Sequence, residues 1–125
     1  MKQGKGKVLV VDDAGPVVIL CVNILQSLGY VVRGANRGET ALEHLRNESF
    51  DLLIVDYRMP GMDGFQVFEQ AQAIRPEMAF MLITAHGTTE VTGRAMEVGF
   101  SAVLLKPFTK EELRTAVETA LAGKR

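Results

Sequence analysis

Five short apolar runs alternate strictly with five stretches whose apolar residues recur at helical spacing, and no other feature restricts the fold so tightly. The runs are residues 8–11, 30–33, 52–55, 78–83 and 102–105. Apolar runs this short and this continuous read as strands buried on both faces. Strands of that kind, each followed by a helix, build a parallel sheet covered by helices on both sides. The expected fold is therefore α/β, a doubly wound five-stranded parallel sheet of order 2-1-3-4-5 with five helices.

The helical stretches carry their own punctuation. Pro16 suits the first turn of a first helix that turns Val17, Leu20, Cys21, Ile24 and Leu28 inward and stops at Gly29. A second helix over residues 39–47 buries Ala41, Leu42 and Leu45. Asp63 caps a third helix that begins near Gly64, carries Phe65, Phe68, Ala71 and Ile74, and closes before Pro76. Thr88 or Thr89 caps a fourth, with Val91, Ala95 and Val98 inward. Its internal Gly93 costs about 1 kcal/mol of helix propensity, which makes it the least rigid of the five. Thr109 caps a last helix bearing Leu113, Ala116, Val117, Ala120 and Leu121.

Composition excludes several classes of function. At 125 residues the chain has the size of one domain, residues 1–125 with a core over about 7–121. A net charge of -1 argues against direct nucleic-acid binding, which needs a basic excess. The single cysteine excludes an internal disulfide, and Cys21 reads as a core thiol. No apolar run approaches the roughly eighteen residues of a membrane span. The basic start from Met1 to Lys7 leads into a strand rather than an apolar leader. A cytoplasmic protein is expected.

The informative residues are the polar exceptions, which fall at strand ends. Asp12 and Asp13 end the first strand, Asp56 the third, Thr84 the fourth and Lys106 the fifth. Parallel strands point one way, so all five converge on one rim, with strands one and three adjacent at the switch point. Around Asp56 the pattern is sharpest, because Leu52-Leu53-Ile54-Val55 runs straight into this carboxylate and a Pro60-Gly61 turn follows. Capping is an inferior explanation for Asp56, since Asp63 is better placed to cap the next helix. Three carboxylates this close repel, so one is protonated or a cation sits among them. Oxygen donors without Cys or His select a hard ion, and Mg²⁺ fits because it needs few protein carboxylates. Thr84 and Lys106 suit phosphoryl oxygens approaching from the other side, and Asp56 is the carboxylate placed to attack.

These motifs carry a family resemblance. Val10-Val11-Asp12-Asp13, the run from Asp56-Tyr57-Arg58-Met59-Pro60 through Gly61-Met62-Asp63-Gly64, Ile83-Thr84-Ala85 and Leu105-Lys106-Pro107-Phe108 make the chain similar to the receiver domain of two-component response regulators, the CheY-like superfamily. The resemblance extends from Lys7 to Leu121. It implies that Asp56 is the phosphoacceptor, that Asp12, Asp13, Asp56 and the backbone carbonyl of Arg58 hold Mg²⁺, and that Thr84 and Lys106 contact the phosphoryl group. It implies a cis Lys106-Pro107 bond. It also implies a phosphohistidine donor on a sensor histidine kinase or phosphotransfer protein. A downstream effector domain or protein would bind the face of helix 4, strand 5 and helix 5, and the family leaves room for a phosphorylation-dependent homodimer.

Three positions depart from the family pattern. Val103 stands where the family often has an aromatic that swings inward with the threonine; it reads as a packed strand residue, which puts that half of the switch in doubt. Ala14 stands where a third acid is often found. Arg58 and His86 lie two residues after Asp56 and Thr84, where their side chains either tune the lifetime of the phosphoryl group or remain solvated loop residues. Other classes of function fit less well, among them a flavodoxin-like cofactor carrier, whose phosphate Asp12-Asp13 would repel. A phosphorylation-independent binding module is opposed by the intact Asp12, Asp13, Asp56, Thr84 and Lys106, and an enzyme acting on small phosphate esters by the lack of a DxD pattern and of room for a cap domain.

Overall fold

The computed structural model, which describes residues 5–123, turns the alternating pattern into ten elements. They are β1 (Lys7–Val11), α1 (Gly15–Ser27), β2 (Val31–Ala35), α2 (Gly38–Asn47), β3 (Leu52–Asp56), α3 (Gly64–Ile74), β4 (Ala79–Thr84), α4 (Thr89–Val98), β5 (Ala102–Leu105) and α5 (Lys110–Ala122). Met1 to Gly4, most of the basic start, and Lys124-Arg125 lie outside the described residues. The strands pair in parallel in the order β2-β1-β3-β4-β5, as expected.

Because side chains alternate across a strand, the central strands supply two cores at once. Leu9, Val11, Leu53, Val55, Phe80 and Leu82 pack beneath α2, α3 and α4. Val8, Val10, Leu52, Ile54, Met81 and Ile83 pack beneath α1 and α5, where Cys21 joins them as a buried thiol. Burial of each large aliphatic side chain stabilises by about 1.5–3 kcal/mol, so a continuous apolar run is stable only in such a central strand. On the α3 side an aromatic cluster fills the core. Phe68 lies 4.7 Å from both Phe80 and Phe100, centroid to centroid.

The caps set the helix starts. Asp63 accepts from the Gln66 N–H at 2.9 Å while the Gln66 side chain accepts from the Asp63 N–H at 2.8 Å. Thr109 and Glu112 repeat this reciprocal box at α5. Thr88, not Thr89, caps α4 by accepting from the Val91 N–H at 3.2 Å. Each such cap contributes about 1 kcal/mol. α4 is the exception in packing, for Ala95 is its only fully buried residue. A Cβ on Gly93 would meet nothing within 4 Å, so packing does not require the glycine.

The sequence reading differs from the structure at the edges. β2 runs over Val31–Ala35 rather than residues 30–33, pairing Val10 with Gly34 and Val11 with Ala35. Gly34 is a weak strand residue by propensity, but a Cβ there would lie 2.5 Å from Val18 Cγ1. The glycine therefore lets α1 lie directly on the strand, whose pairing with β1 continues to Ala35. Leu20 and Val98, expected inward, are 47% and 41% exposed. α1 is apolar on more than one face, so helical spacing alone does not select the buried one.

Gly64 joins this frame to the strand ends. A Cβ there would fall 2.7 Å from the Asp56 carbonyl oxygen and 3.0 Å from Leu82 Cδ1, so α3 starts in direct contact with the end of β3. Gly64→Ala should destabilise the protein by about 1–3 kcal/mol through overpacking. A lower urea midpoint at unchanged m value is expected, and a midpoint equal to wild type would contradict this packing.

Candidate functional site

The parallel registers deliver the strand ends to one rim. Val11 pairs with Val55 and Asp56 with Ile83, so Asp12 follows β1 as Asp56 closes β3, and Thr84 lies one step further along β4. Thr84 pairs with Leu105, and Lys106 comes next. Among the described residues Asp12, Asp13 and Asp56 form the one group of metal-ligating side chains, with one carboxylate oxygen of each within 4.8 Å of the others. Asp12 and Asp56 are buried, whereas Asp13 is exposed.

Lys106 holds the two buried carboxylates together. Its Nζ lies 2.8 Å from Asp12 Oδ2 and 3.1 Å from Asp56 Oδ1. The other Asp12 oxygen accepts from the Ala14 N–H at 2.9 Å, a local turn that the side chain of Asp favours. Spacing placed Lys106 at the rim but could not show that it bridges both acids. The Lys106-Pro107 bond is cis, as the resemblance implied.

The electrostatics follow from that geometry. Burial pushes the Asp56 carboxyl up to about 6, the Asp12 charge adds to the rise, and Lys106 opposes it. Burial alone would lower Lys106, but its hydrogen bonds to Asp12 and Asp56 and their charges raise it overall. Beneath the site, burial and the Asp12 charge push the Cys21 thiol up to about 12, so it stays neutral. One ammonium pairs with two of the three carboxylates, leaving excess negative charge in an all-oxygen cluster with one exposed member. That donor set fits a hard divalent cation.

Thr84 is fully buried, and its Oγ1 accepts from the His86 N–H at 2.8 Å. The hydroxyl proton is not used in that bond. His86 thus reaches the site through its backbone, while its side chain is exposed. Arg58 is also exposed, with its guanidinium 5.3 Å from the Tyr57 ring centroid. Val103 is half-buried and packs against the core beneath α2, α3 and α4. Two features had no sequence signal. Gly87 lies so close to Leu105 that a Cβ would fall 2.0 Å from Leu105 Cδ2. Leu20, with Val17, Ala85, Lys106, Pro107 and Phe108, lines an apolar groove of about 390 Å³.

Fold and site together define a class, a five-stranded α/β domain that carries its polar chemistry on the carboxyl-terminal rim of the sheet. The family model of the response regulator receiver domain matches residues 8–118. The chain belongs to this family, and its function is that of a receiver in two-component signalling. It is 35% identical to transcriptional regulatory protein ZraR of Escherichia coli over 92% of its own length, but spans only 26% of that relative. It is 31% identical to sporulation initiation phosphotransferase F of Bacillus subtilis, covering 92% of this chain and 93% of that one. Among solved structures, Vibrio cholerae chemotaxis protein CheY4 superposes with a TM-score of 0.87 at 30% identity, covering 92% of this chain and 98% of that chain.

The raised Asp56 carboxyl has a consequence for stability. In metal-free protein the folded state holds a proton on Asp56 up to about pH 6, whereas the unfolded chain loses it near the ordinary value of 3.8. Between those values the folded state binds more protons, so this group's contribution to stability falls as pH rises and is fully lost above about 6. Asp56→Asn should therefore raise the thermal midpoint of metal-free protein by several degrees at about pH 8, and the gain should vanish towards about pH 4. A gain independent of pH would show that Asp56 is not the titrating group.

Proposed function

We propose that the chain is a phosphoryl-accepting switch in which Asp56 attacks the phosphorus of a phosphohistidine on a sensor histidine kinase or phosphotransfer protein. An O–P bond forms on Asp56, the N–P bond breaks, and the imidazole leaves with the electron pair. The observation that carries this reading is the pairing of Asp12 and Asp56 through Lys106, with exposed Asp13 beside them. Lys106 orients Asp56 through Oδ1, which leaves the other oxygen for bond formation. Asp12, Asp13, Asp56 and the Arg58 backbone carbonyl would hold Mg²⁺. When bound, Mg²⁺ supplies positive charge that keeps Asp56 ionised and stabilises charge on the phosphoryl oxygens.

The remaining groups have roles that follow from their chemistry. Thr84 keeps a proton to donate to a phosphoryl oxygen, and its turn towards that oxygen would release the His86 amide. Lys106 exchanges one carboxylate partner for the phosphoryl group. The Arg58 and His86 side chains, two residues beyond Asp56 and Thr84, tune how quickly water removes the phosphoryl group. The chain catalyses only its own phosphorylation and dephosphorylation. The apolar groove beside Lys106 supports docking of the phosphodonor next to Asp56. The exposed Met96 and Leu105 support an effector domain or protein on the α4, β5 and α5 face, with a phosphorylation-dependent homodimer as the competing occupant.

A single receiver domain over residues 1–125 and a cytoplasmic location go with this reading. Among the described residues no helix is long and apolar enough to cross a membrane. Net charge of -1 supports recognition of protein rather than nucleic acid.

Intact-mass spectrometry after incubation with acetyl phosphate tests the proposal. One phosphoryl mass should appear with Mg²⁺, and neither with EDTA nor in Asp56→Asn. An adduct on Asp56→Asn, or one formed equally in EDTA, would overturn it. Wild type that shows no adduct and no response to beryllofluoride would instead be a phosphorylation-independent binding module. Decay of the same adduct reads Arg58 and His86. The double alanine variant should change the rate by about severalfold, and unchanged decay would remove their role.

A further inference from the structure

Position 103 is valine, so an aromatic on β5 cannot report the state of Asp56. A different aromatic path leaves the site. Arg58 lies over the Tyr57 ring at 5.3 Å, and that ring meets Phe65 edge-on at 5.5 Å. The guanidinium of Arg94, on α4, sits 4.0 Å from the Phe65 centroid. No hydrogen bond or ion pair joins the Arg94 side chain to any other described residue. We propose that Phe65 and Arg94 carry the phosphorylation signal from Asp56 to α4 in this chain, along the α3 boundary rather than along β5. The proposal rests on Asp56 being the phosphoacceptor.

The path has a rigid end and a loose end. At the rigid end, the Gly64 N–H donates to the Tyr57 carbonyl at 2.8 Å, and the Asp56 carbonyl leaves no room for a Cβ on Gly64. Phe65 follows Gly64 directly. A shift of the Asp56-Tyr57 backbone is therefore passed to Phe65 by bonded and van der Waals contact. At the loose end, α4 buries only Ala95 fully and carries Gly93 beside Arg94. Its seat on α3 depends on the Arg94 stack to a degree that a better-packed helix would not.

The switching element is Arg58. A phosphoryl group on Asp56 places nearly two negative charges two residues along the chain from this exposed guanidinium. A charge-assisted bond to phosphoryl oxygen competes with the weaker attraction of the Tyr57 ring face. When Arg58 leaves, Tyr57 loses the cation that covers it, and its contact with Phe65 readjusts. Arg94, held by the face of Phe65, moves with it. The groove of about 560 Å³ between α3 and α4, lined in part by Phe65, Phe68, Arg94 and Val98, is the surface where that movement appears.

Amide hydrogen exchange of α4 with and without Mg²⁺ and beryllofluoride is the direct test, run beside intact-mass detection of the acetyl phosphate adduct. Wild type should take up the phosphoryl mass and change α4 exchange by about threefold or more on adding beryllofluoride. Arg94→Ala should still take up the mass, lose most of that difference, and by reciprocity change the adduct's decay rate by about twofold or more. Arg94→Lys, which keeps a cation, should recover part of both. A purely structural role for Arg94 would quicken α4 exchange equally in both states, leave decay unchanged, and overturn the proposal. So would an undiminished difference in Phe65→Leu. Wild type that takes up no phosphoryl mass would instead overturn the phosphoacceptor reading beneath it.

Discussion

One ammonium between two buried carboxylates is the interaction on which the rest of the site depends. Without Lys106, Asp12 and Asp56 would be two like charges on adjacent strands with little solvent to screen them, and at least one would be protonated. Lys106 makes the pair tolerable without making it comfortable. Asp56 is still raised to about 6, because burial and the Asp12 charge together outweigh the pull of Lys106. A hard cation would satisfy the residual charge, and in the proposed function cation and lysine together would prepare the rim for an anion. A neutralised site would bind neither.

That balance is maintained by packing some distance away. β1, β3 and β4 are buried along both faces, so their registers cannot slip without exposing apolar side chains. The strand ends are thereby fixed relative to one another, and Asp12, Asp56 and Thr84 inherit that precision. Contact of Gly64 with the Asp56 carbonyl carries it into α3. Rigidity stops at α4, which buries one residue fully and carries an internal glycine without a packing reason for it. A switch needs both parts, since a site that deformed freely could not move a helix, and a helix held everywhere could not respond.

Much of this is legible in the amino-acid sequence, and the reason is physical. Buried central strands tolerate almost no polar residues, so Asp12, Asp56 and Thr84 stand out against their runs, and Asp63 and Thr109 announce helix starts by spacing alone. What escaped the reading was set by contacts between elements. Leu20 is exposed because α1 is apolar on more than one face, and Gly34 belongs to a strand because it pairs with Val10 while Val18 packs over it. Lys106 was expected to face a phosphoryl group, but its bridge between two carboxylates depends on how β1, β3 and β5 sit together. The stack of Tyr57, Phe65 and Arg94 joins a loop to two helices, and no periodicity within one element reveals it.

In the proposed function Asp56 is a carboxylate raised by burial that a divalent cation would complete. Calorimetric titration of Mg²⁺ across a pH series measures this directly. Wild-type affinity should be steady above about pH 7 and should weaken by nearly tenfold per unit well below about pH 6, as binding must displace the Asp56 proton. Asp56→Asn should bind more weakly with a flatter profile. Wild-type affinity independent of pH between about 5 and 8, or Asp56→Asn binding as tightly as wild type, would contradict the account.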